Sequence, residues 1–178
     1  RPEEHAIRAV SRPSVLPQSY ISGAEAQRAC EMAGKRLCSE DEWWIACSGP
    51  KRTVFPYGTA HKPHVCNEER PVHPMLELYG ADADPTIWYV EPMNNPAINA
   101  QPDTVSLTGS RADCRSAFGV FDMVGNVHEW TNDPAGVFRG GAYSGKIASG
   151  CQYKTTVHGF DYHDYSTGFR CCSEPWGS

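Results

Sequence analysis

The stretch FGVFDMVGNVHEWTNDPAGVFRGGAY, Phe118 to Tyr143, gathers glycines, aromatic residues and acids around a single turn. Asp122 and Glu129 set carboxylates on either side of the Gly125-Asn126 dipeptide, which carries turn chemistry. A hard cation such as calcium takes about six to eight oxygens, mixing carboxylates with main-chain carbonyls, and a tight glycine turn aims successive carbonyls inward. The competing reading is a plain Gly-Asn turn whose two acids accept hydrogen bonds from nearby amides.

Working outward, the 178 residues suit a single domain spanning 1–178. Apolar residues at 40% and charged residues at 21% are globular proportions, while fourteen prolines and sixteen glycines predict much irregular chain between short elements. A net charge of -5, with no basic cluster denser than Lys51-Arg52, gives no footprint for nucleic acid or an anionic membrane surface. No apolar run approaches the roughly twenty residues that span a bilayer, and the start at Arg1 lacks a signal-peptide pattern, as expected of a mature or trimmed chain.

Eight cysteines stand at 30, 38, 47, 66, 114, 151, 171 and 172. None forms a CxxC pair, which argues against zinc ribbons and thioredoxin chemistry and for four disulfides in an oxidising compartment. The expected location is secreted, periplasmic or at the cell surface. Eight cysteines allow on the order of a hundred pairings, so spacing alone selects none.

Residues 1–18 read as an extended lead-in, with Pro2, Pro13 and Pro17 forbidding a long helix. Ser22-Gly-Ala-Glu25 is a capping box that predicts a helix over about 23–33, stopped by Gly34. Ser39-Glu-Asp-Glu42 repeats the device and predicts a second helix over about 40–47, with acids in the turn where the helix dipole favours them. From Gly49 to Ala100 the Pro, Gly and Asn signals predict mostly loop. A loop of that length needs pinning; Cys66 is placed to do so, with Cys114 as a candidate partner. VFRGGAY and STGFRCC predict two short strands around an irregular loop over 144–165.

The ordered set GKRLCSEDEWWIAC, FPYG, GVFDMVGNVHEW, FRGGAY and GFRC resembles the formylglycine-generating enzyme family, the sulfatase-modifying domain, over about Pro13 to Cys172. The resemblance implies an α+β fold related to C-type lectins, with little regular structure. It implies calcium ligands at Asp122, Gly125, Val127 and Glu129. It also implies bridges from Cys30 to Cys171 and from Cys47 to Cys151, with Cys172 competing for the first, and leaves Cys38 and one of the adjacent C-terminal cysteines for a further bridge.

The departures bear on function. The enzymes carry a copper-binding, redox-active cysteine pair four and nine residues after the double glycine; counted from Gly141 those places hold Gly145 and Gly150. Copper(I) held by thiolates needs two sulfurs there. His128 stands where the enzymes carry Trp. The expectation is a calcium- and disulfide-stabilised module that binds a protein, peptide or glycan, or plays a structural part in a larger surface protein, without catalysis. Its aromatic loops, with Tyr79, Trp88, Tyr89, Phe160, Tyr162 and Tyr165, offer either a contact surface or core. The alternative is a copper or iron oxidoreductase using His128, His158 and His163, with Asp161 or Asp164 nearby; His64 and His73 are equally eligible by type. There is no GxSxG elbow and no phosphate-cradling loop with its lysine.

Overall fold

The computed structural model describes residues 7–174; Pro2 and the rest of the first six residues of the lead-in lie outside them. Residues 7–18 carry no helix or strand. Helix α1, Gly23–Met32, starts where expected because Ser22 and Glu25 exchange hydrogen bonds across its first turn, and Gly34 follows its end at φ +70°. It buries Ala26, Ala29 and Cys30, spaced three and four apart on one face.

Strand β1, Arg36–Leu37, separates α1 from α2, Glu40–Ser48, whose capping box is Ser39 with Glu42 and whose end falls at Gly49, φ +66°. Arg36 grips the Glu42 carboxylate through two bonds of 2.7 Å and lowers its pKa to about 2. Both predicted helices are thus found within a residue of their expected limits.

Beyond them lie β2 (His128–Trp130), β3 (Phe138–Arg139), β4 (Lys154–Thr155), β5 (Thr167–Phe169) and β6 (Cys171–Cys172). Four form a sheet in the order β4-β3-β2-β5, in which β2 pairs antiparallel with β3 and parallel with β5; β1 and β6 make a separate two-stranded ribbon. The FRGG and TGF strands were expected. Strand β2 was read only as a cation turn, and β4 falls within a segment read as irregular.

The span from Gly49 to Ala100 departs further from its expectation. It contains α3, Pro74–Tyr79, a 3-10 turn at Pro85–Trp88, and α4, Val90–Met93. The prolines read as loop signals are helix starts: Pro74 and Pro85 occupy first-turn positions behind His73 and Asp84, whose side chains accept from Met75 N–H and Thr86 N–H.

All eight cysteines are bridged, as Cys30–Cys171, Cys38–Cys172, Cys47–Cys151 and Cys66–Cys114. Cys171 rather than Cys172 takes the first helix, and Cys38 takes the remaining sulfur. Three bridges converge with Trp43, Met123, Val124 and Ile147 in one core cluster. A second cluster, with Trp130, Phe138 and Leu37, lies beneath α1. A third, with Met75, Ile87, Ile98, Tyr143 and Tyr165, seats the loop segment. Among the described residues no helix is long and apolar enough to cross a membrane.

Candidate functional site

The turn quoted at the outset sits between these clusters. Asp122, Gly125 and Asn126 all have positive φ, at +59°, +73° and +63°, so the chain doubles back tightly before entering β2. Gly125 is required there: a Cβ would meet the Asn67 carbonyl oxygen at 2.1 Å. Asn126 takes its strained conformation in return for three hydrogen bonds, accepting from Asn67 Nδ2 (2.9 Å) and Ser106 N–H (2.8 Å) and donating to Ser106 O (3.1 Å).

Glu129, 6% exposed, is the electrostatic centre. Arg170 donates to both its oxygens, at 2.9 and 2.7 Å, and Trp43 Nε1 donates to Oε2 at 2.6 Å. A buried charge is tolerable only when paired and hydrogen-bonded, and this fork supplies both. Helix α2, β2 and the segment after β5 are thereby locked to one carboxylate.

The four residues expected to hold calcium retain acceptor capacity. Asp122 gives Oδ2 to Gly109 N–H at 2.7 Å, and Glu129 Oε1 takes a single donor. Among the described residues no hydrogen bond ends on the carbonyl of Gly125 or Val127, although both residues are buried, and buried carbonyls are normally paired. Burial raises the Asp122 carboxyl above its ordinary value, and nearby Glu129 adds to the rise. Spare oxygens beside two neighbouring acids fit a hard cation. Half of such a set would be main-chain oxygen, since no group of three or more His, Cys, Asp or Glu side chains is arranged for a metal among the described residues.

The segment after the double glycine is tied to residues 68 and 69, and a Cβ at Gly145 would meet nothing within 4 Å. Glu69 N–H donates to Gly145 O (3.0 Å), Ile147 N–H donates to the buried Glu68 carboxylate (2.9 Å), and Lys146 pairs with Glu69 (3.1 Å). At Gly150, φ +53°, a Cβ would stand 2.1 Å from Val54 O, so no side chain enters without moving the backbone. Cys151 next to it is bonded to Cys47.

Among the candidate histidines His128 and His158 both flank Phe138, with Asp164 near, yet no group of three or more His, Cys, Asp or Glu is arranged for a metal among the described residues. The His128 ring packs on Phe138 and Tyr153, with centroids at 4.6 and 5.6 Å; its buried Nδ1 has no partner, and burial lowers its pKa to about 4. His158 stacks on Tyr162 at 3.7 Å and flanks Phe138 at 5.9 Å. His163 Nδ1 lies 3.4 Å from Asp161 O. His73 serves as a helix cap and meets Tyr165 OH at 3.1 Å, while His64 holds a turn at φ +64°. Asp164 is buried, accepting from Tyr162 OH and Ser166. The aromatic loops divide: Tyr165 is core, whereas Trp88 and Tyr89 are exposed at 42% and 67%.

Sequence reasoning did not find Arg170, Trp43 Nε1, Glu68 or Asn126 as partners in these networks. Arg170 follows GF in the last motif, and only the fold carries it to Glu129, 41 residues away in sequence.

The profile of the sulfatase-modifying factor enzyme 1-like domain family matches residues 1–175. An inactive C-alpha-formylglycine-generating enzyme 2 from Bos taurus is 27% identical over 174 residues, covering 89% of this chain and 50% of its own length. A formylglycine-generating enzyme from Mus musculus is 26% identical over 186 residues, covering 89% and 44%. The chain therefore spans about half the length of these relatives. Among solved structures, PvdO from Pseudomonas aeruginosa superimposes with a TM-score of 0.57 at 18% identity, over 88% of this chain and 61% of that one, a likeness of fold.

Proposed function

The chain belongs to the sulfatase-modifying factor enzyme 1-like domain family, and from that premise we propose that it is a non-catalytic member, a disulfide- and calcium-stabilised extracellular domain that acts as a binding or structural module. The observation that carries this reading is the state of the old reaction centre. Gly145 and Gly150 stand where the resembled enzymes have cysteines, a side chain at 150 would collide with Val54 O, and Cys151 is already bridged. The resembled enzymes hold copper(I) with two thiolates, and no cysteine is free to supply one. Four disulfides belong to an oxidising compartment, and secretion or display at a cell surface extends that statement. The similarity to a relative named as inactive is in keeping with lost catalysis. Kinship with C-type lectins, implied by the sequence resemblance, belongs to the same proposal.

Calcium would be held by Asp122, Glu129 and the carbonyls of Gly125 and Val127, where it would offset the Asp122 charge that Arg170 leaves unpaired and fix the turn ahead of β2. Extracellular calcium modules bind at about 0.1–1 mM. Calcium at about 10 mM should then raise the melting temperature by roughly 3 to 10 °C over the same protein in EDTA. Elemental analysis should find calcium and no stoichiometric copper or iron. Melting indifferent to both additives would remove the cation from the account, and copurifying copper or iron would replace the module reading with a histidine-based oxidoreductase.

A further inference from the structure

We propose that the groove beside the start of α2 is a binding site for a neutral saccharide, an inference that names the ligand class of the proposed module and rests on that reading. The groove has a volume of about 440 Å³ and is lined by Glu40, Asp41, Trp44, Arg139, Gln152 and Lys154. That size falls within the about 300–1,000 Å³ of small-ligand sites.

Arg139, 7% exposed, is fixed before any ligand arrives. Its Nη1 donates to Glu40 Oε2 at 2.8 Å, its Nη2 donates to Cys151 O at 3.2 Å, and its guanidinium lies 5.3 Å from the Trp43 ring centroid. Its Nε is buried and has no partner. That inaccessible Nε is out of a ligand's reach, so a ligand meets Arg139 only through the 8% of its side chain that is exposed. Lys154 Nζ shares Glu40 Oε2 at 3.3 Å, so Oε1 stays available as an acceptor. The exposed Asp41 carboxylate and Gln152 amide add further acceptors and donors.

The charges decide the chemistry. Two carboxylates face two cations in the groove, and Arg52 lies 5.5 Å over the Trp44 ring. A cationic ligand meets Arg139 and Lys154; an anionic one meets Glu40 and Asp41. A neutral ligand rich in hydroxyls escapes both penalties, because each hydroxyl is donor and acceptor at once and can serve carboxylate, amide and guanidinium alike. Trp44, half-buried, supplies apolar surface at the groove wall, with one face of its ring under Arg52.

Isothermal titration calorimetry with glucose, galactose, mannose, N-acetylglucosamine and their common disaccharides tests the assignment, with glutamate, lysine and inorganic phosphate as charged comparators. The expected result is saturable millimolar binding of at least one saccharide, unchanged by salt and weakened roughly tenfold by Gln152→Ala and by Trp44→Ala. Because Trp44 also packs on the core, the exposed Gln152→Ala keeps the test valid where Trp44→Ala fails to fold. Heats from no saccharide, binding untouched by Gln152→Ala, or salt-sensitive binding of a charged comparator would each overturn the proposal. Oxidation of a cysteine peptide by the domain would overturn the module reading instead, so the two failures are distinguishable.

Discussion

Residues 67–113 and the body that surrounds them are held together by different chemistry. The body carries three disulfides, the Glu129–Arg170–Trp43 lock and two helices with reciprocal caps. The segment 67–113 has no disulfide within it and is closed at its neck by Cys66–Cys114. Amide side chains stitch it to the body: Asn67 to Asn126, Asn94 to His163 O, and Asn99 to Ser19, Tyr165 O and Tyr143 OH. Where covalent crosslinks fix the chain, elements of two or three residues suffice. Where they do not, each loop carbonyl needs a specific amide to meet it.

The largest expected effect sharpens this contrast. Replacing Cys66 and Cys114 with serine opens a 48-residue loop and should cost about 4 kcal/mol in the chain-entropy account. Cys30–Cys171 spans 141 residues, yet Cys38–Cys172 already ties the same two regions. The additional loop is then only about nine residues, and its removal should cost about 2–3 kcal/mol. Scanning calorimetry should find the Cys66/Cys114 double variant melting below the Cys30/Cys171 variant, although its loop is shorter; the reverse order would break the argument. Asn126→Ala comes next. It removes three hydrogen bonds between the body and the loop segment and should cost about 3 kcal/mol, read as a lower denaturation midpoint with an unchanged slope.

The smallest effect lies in the sheet. Because the His128 pKa is depressed in the fold to about 4, from an ordinary 6.5, the unfolded chain binds a proton that the folded chain refuses. Its contribution is intact above pH 6.5 and is lost as pH falls toward 4, amounting to about 2 kcal/mol by pH 5. His128→Phe should flatten the stability profile between pH 7 and pH 5; a profile unchanged by the substitution would assign the acid sensitivity to another group.

The same contrast explains what the sequence made legible. Ser22 with Glu25 and Ser39 with Glu42 are signals complete within four residues, and both helices follow from them. The five motifs identify the family, and the bridges that the resemblance implied are present. The helices at Pro74 and Pro85 escaped because proline marks a helix start as readily as a loop. Strands of two or three residues show no alternation to read. Asn67 and Asn126, 59 residues apart, carry no local pattern. In the site, the acids at 122 and 129 stood out from the sequence, but the partners of Glu129 did not, since Trp43 and Arg170 reach it only through the fold.

The central claim is that this chain keeps the family's architecture without the cysteine pair of the resembled enzymes. The most direct measurement incubates the purified, disulfide-intact domain with copper, oxygen and a cysteine-containing peptide and follows the peptide by mass spectrometry. The account predicts no conversion of the peptide cysteine to formylglycine beyond that in a copper-only control; multiple turnovers per protein molecule would contradict it.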